Sequence, residues 1–423
     1  MNGWVLFDLD GTLTRSEEGI WNGVRYTAEK MGRPVPGAET LRRFIGPPLE
    51  WSFREYMGMT PEEARQAQTI YRERYQAVGY LENRVYPGVR AALRRLRKSG
   101  ARLGVVTGKP IGPTRMILDH FGLSPLLETV VSATDGHAEK EHLIREALPE
   151  NPGEVWMVGD RRFDMEGAVK AGVHALGVTY GYGDEEELLS SGAERLAASP
   201  REIADLLCPE TPWERGAFLS MEGMDGSGKG TQIQVLRETL ERYGWEVVSC
   251  REPGGTAIGE KIRQILLDRE NSAMTDITEA LLYAAARAQL VREVIRPAVT
   301  DGRVVLCDRF VDSSAAYQGG GRQLGVDLVR KINEPALAGT MPDWTVWLDI
   351  DHQRALRRRC AVSEPDRIEL ADNGFHTRTE QAYRDLAAAE ADRFLTVNAD
   401  QDREAVSAEM MNQVLARLME AER

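Results

Sequence analysis

The sequence predicts an α/β protein built as two doubly wound parallel-sheet domains in tandem. Three observations carry that prediction. Short apolar runs alternate with helical stretches along both halves, the pattern of parallel strands covered by helices on both faces. Several runs end on acidic or glycine-rich segments, where open α/β sheets place their ligand sites. Between the halves, residues 208–216 carry Pro209 and Pro212 without an apolar period, which reads as a short, stiff linker. The expected domains are therefore residues 1–207 and 217–423.

Bulk properties agree with a globular chain. Its 423 residues are enough for two or three domains, and 42% hydrophobic with 28% charged residues is ordinary for packed cores. A net charge of −13 disfavours nucleic acid or an anionic membrane as partner, so any phosphate site must concentrate basic groups locally. Cys208, Cys250, Cys307 and Cys360 lie far apart with no C-x-x-C pair, which points to reduced thiols rather than disulfides or a zinc knuckle. The start, MNGWVLFDLDGT, lacks the basic and apolar regions of a signal peptide, and no run approaches the length of a membrane span. A cytoplasmic protein without membrane or nucleic-acid partners is expected.

The first apolar run, Trp4–Leu9, leads into Asp8-Leu9-Asp10-Gly11-Thr12. Two carboxylates two residues apart at a strand end face one site, and like charges so close need a cation or a shared proton. An Asp-Gly turn after a strand is common, but three further segments shift the reading. Arg102–Gly108 is a second buried-strand pattern, ending on Thr107. Val155–Asp160 is a third, with Asp164 four residues on, and Lys140 is the only lysine between residues 111 and 169. Residues from about 15 to 82 are inserted after the first strand and read as helices over Gly19–Met31, Glu39–Phe44 and Pro61–Ala77.

In order and type, these segments resemble the haloacid dehalogenase-like phosphatases over about residues 1–207. The resemblance implies Asp8 as the nucleophile that accepts a phosphoryl group and Asp10 as the acid/base. It implies Thr107 and Lys140 as holders of phosphate oxygens. Mg²⁺ would be bound by Asp8, the backbone carbonyl of Asp10 and Asp160, with Asp164 supporting that shell. Carboxylates suit Mg²⁺, and an aspartate beside a metal and a lysine can form an aspartyl-phosphate. The insertion would be a helical cap that sets specificity for a small phosphomonoester. FIGPPL at 44–49 and GVTYGYG at 177–183 look like the phosphoglycolate-phosphatase and 5′-nucleotidase branch, although residues 135–140 are shorter than that branch suggests. For Trp21, Trp51, Phe53 and Tyr56, helix-packing core is the favoured reading over substrate contact.

The second half opens on FLSMEGMDGSGKGTQ, from Phe218 to Gln232. A strand, a glycine-rich turn and a helix N-terminus make a phosphate cradle of free N–H groups, with Lys229 reaching the outer phosphates. The strict pattern G-x-x-x-x-G-K-[ST] is met by Gly223, Gly228 and Lys229, but Gly230 stands where Ser or Thr is usual. Three more segments follow: Arg251-Glu252-Pro253-Gly254-Gly255-Thr256 after the strand Val247–Cys250, the helical run Thr278–Val294 with Arg287, and Asp308-Arg309-Phe310 after the strand Arg303–Cys307, leading to Tyr317 and Gln318. A carboxylate at a strand end can hold Mg²⁺ through water, and the next arginine can clamp a phosphate.

Together these segments resemble the thymidylate kinases, a family of P-loop nucleoside monophosphate kinases, over about residues 216–420. The resemblance implies that Gly223, Met224, Asp225, Gly226, Ser227, Gly228, Lys229, Gly230 and Thr231 cradle ATP. On the dTMP side it implies Asp225, Glu252, Arg287, Arg309, Tyr317 and Gln318. Mg²⁺ would be held by Thr231, Asp308 and waters, because Gly230 brings no hydroxyl. Gly226 occupies the position where some family members have a catalytic arginine. Arg358 or Arg359, with Arg367 of the run DRIE at 366–369, is then expected to stabilise the transferring phosphoryl group from a lid. A run of three arginines would otherwise read as a solvated helix face. The family's AADRAQH is AAARAQL here, from Ala284 to Leu290, without its acid and histidine.

The leading expectation is an ATP-dependent dTMP kinase, dimeric through the kinase half, fused to a Mg²⁺-dependent phosphomonoesterase. Two alternatives stand beside it: a first half that only oligomerises or regulates, and a second half that phosphorylates another nucleoside monophosphate.

Overall fold

The computed structural model describes residues 3–133, 139–360 and 367–422, without the side chain of Cys360. The chain divides into two compact units, Met1–Pro212 with Glu241–Trp245, and Trp213–Leu240 with Glu246–Glu422.

Among the described residues the first unit has the strands β1 (Gly3–Phe7), β2 (Thr14–Arg15), β3 (Arg84–Val85), β4 (Arg102–Thr107), β5 (Thr129–Ser132), β6 (Glu154–Gly159), β7 (His174–Val178) and β8 (Arg195–Ala197). Six form one parallel sheet in the order β5-β4-β1-β6-β7-β8. Every residue of β1 is buried, as expected for a strand covered on both faces. The core under the sheet includes Leu6, Val106, Met157, Met165 and Leu143. Strand order reverses about β1, so the ends of β1, β4 and β6 open into one crevice.

The strand expected over Trp4–Leu9 ends at Phe7. The chain then turns, with Leu13 N–H bonded to Leu9 O and Gly11 N–H to Thr14 O. Strand alternation therefore does not govern Asp8 and Asp10, and the two carboxylates diverge. The inserted residues form the helices Glu17–Lys30, Ala38–Arg42, Leu49–Met57 and Pro61–Ala77. Thr60 and Glu63 close the start of the last one as a reciprocal capping box. The chain leaves for these helices through β2 and returns through β3, and these pair antiparallel, Thr14 opposite Val85 and Arg15 opposite Arg84. Phe53 and Phe44 pack edge to face inside the cap, while Trp51 lies nearly half exposed at 46%.

The second unit carries β9 (Phe218–Gly223), β10 (Val247–Arg251), β11 (Val304–Asp308), β12 (Trp344–Asp349) and β13 (Phe394–Asn398), parallel in the order β10-β11-β9-β12-β13. Order reverses about β9, which places the glycine-rich loop and the residues after β11 side by side. The long helix expected over Thr278–Val294 runs as Asp276–Leu290, then through a wider π turn at Val291–Ile295 into Arg296–Thr300. Phe218, Leu290, Val305 and Phe310 anchor its apolar face to the sheet. Among the described residues no helix is long and apolar enough to cross a membrane.

Candidate active sites

In the first unit the crevice gathers four acids and two lysines. Lys140 Nζ lies 2.6 Å from Asp8 Oδ1 and 2.6 Å from Asp164 Oδ1. Asp160, fully buried, accepts the Tyr182 N–H at 2.8 Å and the Thr12 hydroxyl at 3.3 Å. Carboxylate oxygens of Asp8, Asp160 and Asp164 all fall within 4.8 Å of one another. Glycine at 159 makes this possible: a Cβ there would stand 2.3 Å from the Asp164 side chain.

Three buried carboxylates around one ammonium are short of positive charge. Burial pushes the Asp8 pKa up to about 7; Lys140 pulls it down and Asp164 pushes it further up. Burial, with Asp164 and Asp8 as neighbours, also raises Asp160 well above its ordinary range. Clustered oxygen ligands with an unbalanced charge fit a hard divalent cation such as Mg²⁺. The donor set is all oxygen, and a cation there would offset the burial cost and the mutual repulsion that together raise both values.

Asp10 stands apart from this trio. Lys109 Nζ lies 2.9 Å from Asp10 Oδ2, and the other oxygen is buried with no hydrogen-bond partner. The Asp10 carboxylate is thus no member of the carboxylate trio, contrary to its expected place among the metal ligands. Burial works against the charge on Lys109, but Asp10 outweighs it and holds the ammonium above the ordinary lysine range. Sequence reasoning missed Lys109 because it looked for a lysine only beyond residue 110. Its place two residues after Thr107 was the available signal. Thr107 is buried at the end of β4, where its hydroxyl accepts the Lys109 N–H at 3.2 Å. The segment 134–138 ahead of Lys140 lies outside the described residues, as does Asp366 of the lid run.

In the second unit a cavity of about 260 Å³ is lined by Asp225, Lys229, Glu252, Arg287, Asp308, Arg309, Tyr317, Gln318 and Arg359. Lys229 opens the helix Lys229–Arg242 and donates to the Gly223 and Met224 carbonyls at 3.0 Å each. Burial and Arg309 lower its pKa to about 8, with Asp225 acting in the opposite direction. Ser227 Oγ is buried without a partner in the same loop. Gly226 takes φ +88°, and a Cβ there would meet the Ala355 carbonyl at 2.0 Å and the Arg359 N at 3.1 Å. The arginine-bearing helix His352–Cys360 thus lies directly on the loop at the position that can carry no side chain.

Arg309 is the hub of the cavity. Its Nη2 lies 2.5 Å from Asp225 Oδ1 and donates to the Tyr317 hydroxyl at 3.2 Å, while Nη1 donates to Ser313 Oγ at 3.1 Å. Although burial opposes its charge, Asp225 is held well below the usual carboxylate range by Arg309 and Lys229. Arg309 adopts φ +66°, a left-handed conformation that costs a non-glycine residue about 1–3 kcal/mol and persists only where neighbours over-determine it. One of those neighbours is Glu222, which sequence reasoning did not single out. It accepts from the Phe310 N–H at 2.8 Å, Ser313 Oγ at 2.6 Å and the Tyr383 hydroxyl at 2.9 Å. Burial, with Asp312 nearby, raises its pKa to about 7. The signal was an acid inside an otherwise apolar buried strand.

Glu252 and Arg287 form one buried ion pair, with Arg287 Nε 2.8 Å from Glu252 Oε2, and Arg287 Nη1 donates to Ser314 at 3.1 Å. The second Glu252 oxygen has no partner, and burial raises its pKa to about 7 against the pull of Arg287. Asp308 also presents a buried oxygen without a partner at the end of β11, which fits a cation held there. Gln318 Nε2 donates to Glu279 at 2.9 Å, and Arg367 pairs with the same carboxylate at 2.7 Å.

Other expected residues lie elsewhere. Thr231 is exposed and outside the cavity lining, so the structure does not join it to Asp308. Arg358 turns to the Ala399 carbonyl at 3.1 Å, whereas Arg359 lines the cavity and holds Glu369 at 2.7 Å. Neighbouring residues on an α-helix point about 100° apart, which is why the two adjacent arginines face differently.

Comparison with known proteins gives a match to each half. Residues 221–410 match the family model described as thymidylate kinase, and residues 5–178 the one described as haloacid dehalogenase-like hydrolase. A thymidylate kinase of Exiguobacterium sp. is 43% identical over 205 residues, 48% of this chain and 97% of that protein. One from Pelobacter propionicus is 48% identical over 206 residues, 47% of this chain and 94% of that protein. Among solved structures, a predicted phosphatase from Clostridium acetobutylicum is 39% identical, with a TM-score of 0.46, over 49% of this chain and 99% of its own.

Proposed function

Because this chain belongs to the thymidylate kinase family through its second half and carries a haloacid dehalogenase-like hydrolase domain in its first, we propose that it phosphorylates dTMP with ATP and separately hydrolyses a small phosphomonoester. The observation that carries the kinase reading is the convergence of Lys229, Asp308, Arg309 and Arg359 on one cavity. Lys229 and the loop amides hold the ATP phosphates. Arg309, fixed by Asp225 and Ser313, binds the dTMP phosphate, while Tyr317 and Gln318 line the nucleoside side. Arg359 reaches the transferring phosphoryl group, a role that contributes roughly 10³–10⁵ in rate in related transfers. Mg²⁺, held through Asp308 and water, would neutralise charge on the donor phosphates.

In the first half Asp8 attacks the phosphorus and the leaving oxygen takes a proton from Asp10; Asp10 then activates water against the aspartyl-phosphate. Lys140 and Thr107 hold the phosphoryl oxygens. Mg²⁺ at Asp8, Asp160 and the Asp10 carbonyl would supply charge neutralisation and alignment. The free thiols at Cys208, Cys250 and Cys307 are in keeping with a reducing, cytoplasmic setting, and a homodimer through the kinase half is part of the same proposal, on family resemblance alone. A coupled assay of ADP release across the nucleoside monophosphates tests the kinase assignment. Turnover is expected with dTMP, and turnover only with another acceptor overturns it.

A further inference from the structure

The loop Tyr180–Gly183, which follows β7, is fitted against Asp160. A Cβ at Gly181 would stand 2.3 Å from Asp160 Cβ, and one at Gly183 would stand 2.2 Å from Asp160 O. Gly183 N–H bonds that same carbonyl at 3.1 Å, and Tyr182 N–H bonds Asp160 Oδ2 at 2.8 Å. From this backbone the two tyrosines reach in another direction, to residues that flank the two strands through which the chain enters and leaves the cap.

The Tyr182 hydroxyl accepts the Ser16 N–H at 3.0 Å, at the N-cap of the first cap helix, and lies 3.4 Å from Ser16 Oγ. Tyr180 donates its hydroxyl to Thr12 O at 2.8 Å, and its ring meets Tyr86, just past β3, edge to face at 4.8 Å. The Tyr182 ring also sits where a side chain on Gly11 would be, 2.7 Å from that glycine's would-be Cβ. One residue therefore spans from a buried acid of the carboxylate trio, through its backbone N–H, to the N-cap of the first cap helix, through its hydroxyl.

We propose that Tyr182 is a positioning residue that links Asp160 to the cap hinge, so that cation binding at the trio and order in the hinge are coupled. Both links are partly buried, and a hydrogen-bonded connection with little slack transmits a shift at one end to the other, because each link weakens once its partner moves by more than a few tenths of an ångström. The proposal rests on the reading of Asp8, Asp160 and Asp164 as a Mg²⁺ site.

Hydrogen exchange followed by mass spectrometry tests it on the full chain and on Tyr182→Phe, with Mg²⁺ or with EDTA. The substitution keeps the backbone N–H on Asp160 and removes only the acceptor for Ser16. In the unsubstituted protein Mg²⁺ is expected to slow exchange in peptides over 157–164 and, by about fivefold for one hydrogen bond, in hinge peptides over 14–17. In Tyr182→Phe the slowing over 157–164 should remain and the hinge response should vanish. Tyr180→Phe, which loses a different bond from the same loop, should keep the hinge response. A hinge indifferent to Mg²⁺ in the unsubstituted protein, or protected equally in Tyr182→Phe, overturns the coupling. No response over 157–164 in any protein overturns the metal reading instead.

Discussion

Gly226 lies beneath the carbonyl of Ala355, so close that a Cβ would stand 2.0 Å from that oxygen. The phosphate loop and the arginine helix therefore meet at a position where a side chain is sterically excluded. Gly226→Ala is expected to push the helix off the loop and lower dTMP kinase kcat by about 10²-fold, the scale of a misplaced catalytic group. Phosphate release by the first half should not change. Steady-state ADP release from the variant checks this, and unchanged kcat would remove the steric argument.

Arg359 and Arg358 are adjacent yet face differently, one into the cavity and one to Ala399. Arg359→Ala should lower kcat by roughly 10³ with little change in KM for dTMP, as expected for a group that acts in the transition state. Arg358→Ala should stay within about threefold, because exposed arginines contribute little. Equal effects in the two variants would contradict the orientation.

Asp8→Asn should abolish phosphate release from small phosphomonoesters while ADP formation with dTMP continues. EDTA should suppress both activities, and restored Mg²⁺ should recover both. Thymidine release from dTMP by Lys229→Ala protein is expected to be negligible, since a phosphatase acting freely on dTMP would cancel the kinase. Chromatography of the products resolves each case.

Glu279 gives the protein a pH-dependent element. Burial alone would raise its pKa, but hydrogen bonds from Arg322, Gln318 and Arg367 hold it below its ordinary value of 4.5. A carboxyl lowered on folding contributes stability above its unfolded pKa, and that contribution is lost as pH falls through the folded value. Glu279→Gln should destabilise the second unit by about 1–3 kcal/mol at pH 7. The difference should shrink as the pH is taken below 4.5. Urea melts at the two pH values measure it, and a constant difference would argue against the assignment.

Arg287→Ala leaves the Glu252 carboxylate buried without its cation. The expected loss is about 3–5 kcal/mol, the cost of breaking a buried pair by removing one partner. Replacing Glu252 and Arg287 together by Gln and Met should recover much of it. A thermal melt of the single and double variants separates the buried-charge penalty from lost packing.

Much of each candidate site was legible because it sits at strand ends, where a short motif carries both the turn and the polar side chain. Thr107 ends β4, Asp8 and Asp160 come directly after β1 and β6, and Lys229 follows a glycine run of the spacing that phosphate-binding loops use. Glu222, Lys109 and Tyr182 were not legible in the same way. Each acts through a partner far along the chain, Phe310, Asp10 and Ser16 respectively, and pattern reading has no access to such separations.

The sequence by itself determined two parallel α/β domains, the crevice at which each site lies, and the residue types that meet there. These follow from apolar periodicity and from local turn chemistry, which act over a few residues. Only the tertiary structure decided that Asp10 pairs with Lys109 rather than joining the carboxylate trio, that Arg359 and not Arg358 faces the loop, and that Glu252 is locked to Arg287. Each of those outcomes depends on which side of a turn or helix a side chain leaves from and on what the fold brings within about 3 Å of it.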